Sequence, residues 1–424
     1  MSILLEDLDS IILSHCDLED DFLNIMMVNY YYCKLVNDDK LFLEWKNFLL
    51  SNKYSIINID HKFQLSCGYG YIIYSKYLLD KHRIIDIHAD NEAAFILSCH
   101  NCKLDVAKWL IYLSGKDSYK RIDIHANNNG AFRLSCENGK LDIAKWLIDL
   151  SNQKGYERIN INDANEYAFR WSCAEGYLDV AKWLIDLSKQ DGYEKIDIHS
   201  DNEGAFKMSC YCGKLDVAKW LVNLSNQEGH HKINIHIDDD CAFRLSCKHG
   251  ELEVAKWLID LSKQDQQINI HADVEYAFRW SCQNGNIDVA KWLIILANQE
   301  EYGKINIHAY YEAAFRISCQ NGYIDVAKWL IDLSNQKDYK RIDIHAVDEY
   351  AFIMSCQNGY IDLAKWLIDL SDQKGYQKIN IHANNDSAFI MRRNCGDTKF
   401  TNWLIDLGNK PGYKPFSHKL IHGN

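Results

Sequence analysis

Residues 122–158 read IDIHANNNGAFRLSCENGKLDIAKWLIDLSNQKGYER, and near-copies of this stretch follow one another along the 424-residue chain. Its tryptophan, Trp146, has counterparts at Trp109, Trp183, Trp220, Trp257, Trp292, Trp329, Trp366 and Trp403, 37 residues apart at every step but the 35 between Trp257 and Trp292. Self-similarity at a fixed period of this size is the mark of stacked repeats, each one burying its apolar face against its sequence neighbours.

Within the unit, Ile122 and Ile124 alternate with Asp123 and His125, the period of a short extended arm with one buried face. The polar tip Asn127-Asn128-Asn129-Gly130 turns the chain. Ala131, Phe132, Leu134, Ser135 and Cys136 predict a short first helix, with small residues where a neighbour must approach closely; Asn138-Gly139 ends it, since both tolerate the left-handed conformation common at helix C-termini. Leu141 to Leu150 predicts a second helix with Ile143, Leu147 and Leu150 on one face. A polar connector follows. It is shorter at residues 262–267, where the Gly-Tyr of Gly155-Tyr156 is missing, as a surface loop allows.

Composition narrows the function classes. No apolar run approaches a membrane span, and the N-terminus lacks the basic, apolar and small-residue regions of a secretory signal. The expected location is therefore intracellular, cytoplasmic or nuclear. A formal net charge of −12 disfavours a nucleic-acid partner, because such binding is mainly Lys and Arg neutralising phosphate. Of the 15 cysteines, Cys67, Cys99, Cys136, Cys173, Cys210, Cys247, Cys282, Cys319 and Cys356 keep step with the repeat. Successive copies should lie one helix-packing distance apart, about 8–10 Å, too far for a disulfide and too dispersed for a common metal. No cofactor is expected. Phosphate-cradling loops, nucleophile elbows and His-Glu-x-x-His helices are missing from the sequence, so an enzyme is not the expectation.

An arm, a tight turn and two antiparallel helices joined at a glycine resemble the ankyrin repeat. Phe132 stands at its leucine, Ser135-Cys136 at its paired alanines, Gly139 at its inter-helix glycine, and Ile143-Ala144 with Trp146-Leu147-Ile148 at its aliphatic second helix. The resemblance covers residues 54–410 as an all-α solenoid with short extended hairpin arms: about nine full copies after a reduced one, with a tail at 411–424. The Thr-Pro helix start is absent, since the only two prolines are Pro411 and Pro415. Long, proline-poor units of this kind resemble those of giant-virus ankyrin proteins, which would place the chain in a host cell. In the last copy Arg392 and Arg393 replace the Ser-Cys pair, marking the end of the stack.

The resemblance implies a protein target held by the tips and the adjoining helix surface. Candidate residues there are Asn128, Asn129, Glu166, Glu203, Asp239, Asp240, Glu275, Tyr311, Glu312, Asp348 and Glu349 at the tips. Lys140, Tyr177, Glu251 and Tyr323 are candidates at the inter-helix turns. The histidines His88, His125, His199, His236, His271, His308, His345 and His382 are expected to bond within the hairpin, because Asn162 fills the same slot. A basic row, Arg133, Arg170, Lys207, Arg244, Arg279 and Arg316, has two readings: an acidic partner, or pairing with acidic tips. The tryptophans are expected to be buried packing residues, so that Trp220→Ala would cost roughly 3–5 kcal/mol.

Residues 1–50 differ in pattern. Apolar residues three and four apart fall in three short helical blocks. Their order resembles an F-box, the module that docks substrate receptors onto the adaptor subunit of cullin ubiquitin ligases, although its opening proline is missing. The resemblance assigns docking to Leu4, Leu5, Leu8, Ile12, Leu18, Val28 and Trp45. The other reading is a helical cap over the first repeat.

Overall fold

The computed structural model describes residues 59–422 apart from 83, 117–119, 228–230 and 264–265. They form 21 helices and no strand. The chain divides into two compact units at Ile122/Asp123. Described residues of the first unit form two helix pairs, α1 (Ile59–Tyr69) with α2 (Ile72–Lys81) and α3 (Ala89–His100) with α4 (Leu104–Ser114).

The second unit holds eight pairs: α5 (Ala126–Glu137) and α6 (Leu141–Ser151), α7 (Asp163–Glu175) and α8 (Leu178–Leu187), α9 (Ser200–Tyr211) and α10 (Leu215–Ser225), α11 (Ile237–His249) and α12 (Leu252–Ser262). Then come α13 (Ala272–Gln283) and α14 (Ile287–Ala297), α15 (Ala309–Gln320) and α16 (Ile324–Ser334), α17 (Ala346–Gln357) and α18 (Ile361–Ser371), α19 (Ala383–Asn394) and α20 (Thr398–Gly408). A short α21 (His418–His422) closes the series. Within each unit, each first helix packs on the first helix of the next pair, the nearest-neighbour stacking of an ankyrin-like solenoid.

The core along this seam is Phe, Ser and Cys. Phe132, Phe169, Phe206, Phe243, Phe278, Phe315 and Phe352 are at most 1% exposed, and the cysteines four residues on are fully buried. Burial pushes those thiols well above their ordinary range. The small Ser-Cys pair lets the first helices approach, and each serine returns its hydroxyl to its own helix, as Ser135 Oγ does to the Ala131 carbonyl at 2.7 Å.

The tryptophans correct the sequence reading. They are half-buried rather than core residues. Those from Trp183 to Trp366 lay their rings on the phenylalanine of the preceding copy, with centroids 6.3 Å apart for Phe132–Trp183, 6.2 Å for Phe169–Trp220 and 6.3 Å for Phe206–Trp257. They staple successive repeats from one side.

In the arms Ile159 and Ile161 alternate inward at 1% exposure, as expected, and the arms form no β ladder among the described residues. Buried carboxylates take the place of a strand partner. Glu203 Oε1 accepts the N–H of Asn234 in the next arm at 3.0 Å, and Asp240, Glu275 and Glu349 do the same for Asn269, Asn306 and Asn380 at 2.9, 3.0 and 2.9 Å.

Candidate partner-binding face

Each tip is built from three consecutive residues in the left-handed helical region, for example Asn127, Asn128 and Asn129 at φ 55°, 56° and 55°. That conformation disfavours most L-residues and suits Asn and Asp, whose short side chains bond locally. The tips are accordingly rich in them: Asp201-Asn202, Asp238-Asp239 and Asn384-Asn385 occupy the first two positions in three other copies. A right-handed helix begins only after this turn.

The third tip position belongs to the framework. Asn129, Glu166, Glu203, Asp240, Glu275, Glu312 and Glu349 were candidates for a partner, but they are only 5–7% exposed. Besides the next arm, their side chains bind the repeat's own histidine: Glu203 to His199 Nδ1 at 3.0 Å, Asp240 to His236 Nδ1 at 2.6 Å, Glu312 to His308 Nδ1 at 2.8 Å. Asn162 donates to Glu166 at 2.9 Å in the variant copy, which gives amide and imidazole the same task. Burial raises the Glu166 carboxyl above its ordinary range, an effect partly offset by the Asn162 bond. In another copy Asn129 replaces the carboxylate and donates to Asp163 at 2.7 Å.

The basic row also turns inward. Arg244 donates to the Asp239 carbonyl at 2.8 Å, Arg279 to that of Val274 at 2.7 Å and Arg316 to that of Tyr311 at 2.6 Å, so each guanidinium closes the left-handed turn from behind. Arg279 and Arg316 also lie over Tyr310 and Tyr350 of the following copy, 4.3 and 4.9 Å from the ring centroids. Lys207 pairs with Asp238 of the next tip at 2.7 Å. The acidic partners are thus the first tip residues of the next copy, not the glutamates named from sequence.

Four tip candidates do face solvent: Asn128, Asp239, Tyr311 and Asp348, all in the second position. At the far end of the first helix, Tyr177, Glu251 and Tyr323 cover the glycines Gly139, Gly213 and Gly285 of the copy before. A Cβ on Gly139, whose φ is +69°, would fall 2.4 Å from the Tyr177 ring. Tyr177 and Tyr323 are nonetheless 36% and 38% exposed, and Lys140 is half-buried at the equivalent place.

Between tip and turn runs a row that the sequence reading missed: Leu134, Trp171, Met208, Leu245, Trp280, Ile317, Met354 and Met391. The first seven are half-buried and Met391 is 42% exposed. The slot is always apolar and never constant in size, unlike the phenylalanine two residues earlier. That contrast was the available signal. Tyrosines from the tips flank the row, with Tyr167–Trp171 and Tyr276–Trp280 centroids 5.7 and 5.5 Å apart. Tip, row and turn together make one strip along each first helix, roughly 12 Å from end to end at 1.5 Å per residue.

The face is thus variable and partly apolar on a constant frame. Residues 243–346 and 278–385 match a family model described as "Ankyrin repeats (3 copies)", so the copies within residues 243–385 are ankyrin repeats. Among solved structures, the human ASB11 ankyrin repeat domain is similar at 16% identity, covering 52% of this chain and 95% of that one with a TM-score of 0.33. No curated protein matches. The F-box-like residues Leu4, Leu5, Leu8, Ile12, Leu18, Val28 and Trp45 lie outside the described residues. No helix among the described residues is long and apolar enough to cross a membrane.

Proposed function

We propose that the chain recruits a protein target along the first-helix strip of its ankyrin repeats. The observation that carries this reading is the apolar row, a run of unlike side chains left half-open across eight adjacent copies while the phenylalanine behind it repeats in every one. Interfaces draw on such partly exposed aromatic, Met and aliphatic anchors. Affinity purification with the native chain and with Trp171→Ser/Leu245→Ser tests it. Target proteins retained by the native chain should be lost by the variant, and unchanged retention would refute the assignment.

A finer reading joins that role to ubiquitination, with residues 1–50 docking a cullin-ligase adaptor. It rests on the F-box-like order from Leu4 to Trp45. Purified adaptor subunit should bind the full chain and not its Leu8→Asp variant. Equal binding by both, or by neither, would reject the ligase link and leave the target-recruiting role standing.

A further inference from the structure

The three tips at 273–275, 310–312 and 347–349 break the Asn and Asp rule that the others, Ala164 apart, keep at their first two positions. Their left-handed positions carry Val274, Tyr310, Tyr311 and Val347 at φ 52°, 54°, 56° and 59°. A β-branched or aromatic side chain gains nothing locally from this conformation. Nor do these side chains fill a core: they are 52%, 52%, 79% and 52% exposed. The carbonyls of the first two tips are fixed, since Arg279 bonds those of Asp273 and Val274 and Arg316 those of Tyr310 and Tyr311. Three neighbouring tips therefore present an apolar and aromatic patch.

Carboxylates bracket the patch. Along the second tip position, four consecutive copies read Asp239, Val274, Tyr311 and Asp348. Asp239 and Asp348 are exposed, and no ion pair among the described residues engages either carboxylate. Neighbouring copies stand about 10 Å apart, so the two charges are about 30 Å apart, the reach of roughly nine extended residues. Tyr311 offers an open ring face on which a cation can also sit.

We propose that this patch binds an extended peptide segment of a protein partner that carries a basic residue near each end and apolar side chains between. The assignment rests on the protein-recruiting reading above and names the chemistry of the partner. Lys or Arg at the two ends meets Asp239 and Asp348, while the middle covers Val274 and Tyr311. An acidic or phosphorylated segment would be repelled.

A phage-displayed library of random twelve-residue peptides, selected on the immobilised full chain, supplies the probe. Enriched peptides should place two Lys or Arg about eight to ten positions apart around apolar residues. A synthetic copy should lose at least tenfold in affinity to Val274→Asn/Tyr311→Asn. A comparable loss is expected for Asp239→Asn/Asp348→Asn, shrinking as salt is raised. Asparagine holds the same slot at Asn128, Asn165 and Asn202, so both variants should melt no lower than the native chain. Enrichment of acidic peptides, no enrichment, or binding insensitive to both variants would overturn the proposal. Insensitive peptides lost instead to Leu245→Asp/Ile317→Asp would do so while preserving the recruiting function. A concentration-dependent dimer abolished by Val274→Asn/Tyr311→Asn would assign the patch to a second copy of the chain and also overturn it.

Discussion

Raising the pH should unfold this protein through its cysteine ladder, and Cys210 isolates the effect. Its thiol is completely buried in α9, and burial holds its pKa well above the ordinary 9.0. Unfolded, the thiol ionises through about pH 9; folded, it stays protonated. The native state then binds more protons, so the contribution is fully present below pH 9 and falls as pH rises. At pH 10 the loss is on the order of 1 kcal/mol for one such thiol. Cys136, Cys173, Cys247, Cys282, Cys319 and Cys356 share its setting, so the second unit loses on the order of 10 kcal/mol between pH 7 and pH 10, comparable to the whole stability of an ordinary domain. Cys210→Ala should cost about 1 kcal/mol at pH 7, for one lost buried atom. At pH 10 the variant should match or exceed the native chain. Urea unfolding of both under reducing conditions, followed by tryptophan fluorescence at pH 7, 9 and 10, reads the difference directly, since every other alkaline-titrating group is common to both. A gap between native and variant that stays constant across this range would refute the reasoning.

Three further outcomes follow from the packing. Glu203→Ala leaves His199 Nδ1 and the Asn234 N–H without their carboxylate, so it should destabilise by about 2–4 kcal/mol and speed amide exchange at Asn234; Glu203→Gln should lose less, and equal losses would count against the relay. Phe206→Ala should cost about 3–5 kcal/mol in chemical denaturation, whereas Trp220→Ala, half-buried, should cost only about 2 kcal/mol; the reverse order would restore the tryptophan to the core. Val274→Asn, at φ 52° with half its surface in water, should stabilise by about 1 kcal/mol, a gain in thermal midpoint that a correctly placed left-handed turn requires.

The fold was legible because its signals are local and repeated. The recurring Phe, Ser-Cys and inter-helix Gly words, set against one period, left little choice but stacked helix pairs. Burial was harder to read. Trp and the third tip position's Glu recur in most copies, as Phe does in all, and recurrence alone does not say that Glu203 points inward while Trp220 stays half-open. The glutamates looked like surface because carboxylates usually are; here an arm that has no strand partner needs acceptors, and Glu203, Glu275 and Glu349 supply them. The run of three left-handed residues was foreshadowed in the Asn and Asp of the tips, a composition first read simply as a turn. The apolar row from Leu134 to Met391 was hidden by its variety: a slot occupied by Leu, Trp, Met and Ile reads as loose core until its exposure is seen.

Hydrogen–deuterium exchange on the full chain, alone and with an affinity-purified target bound, bears most directly on where recognition occurs. Protection should concentrate in the tips and first helices α5 to α19, strongest where Tyr311 and the apolar row stand open. Protection confined instead to α8, α10 and α12, around the outward residues Asp186, Asn223 and Asp260, would contradict the assignment of binding to the variable strip.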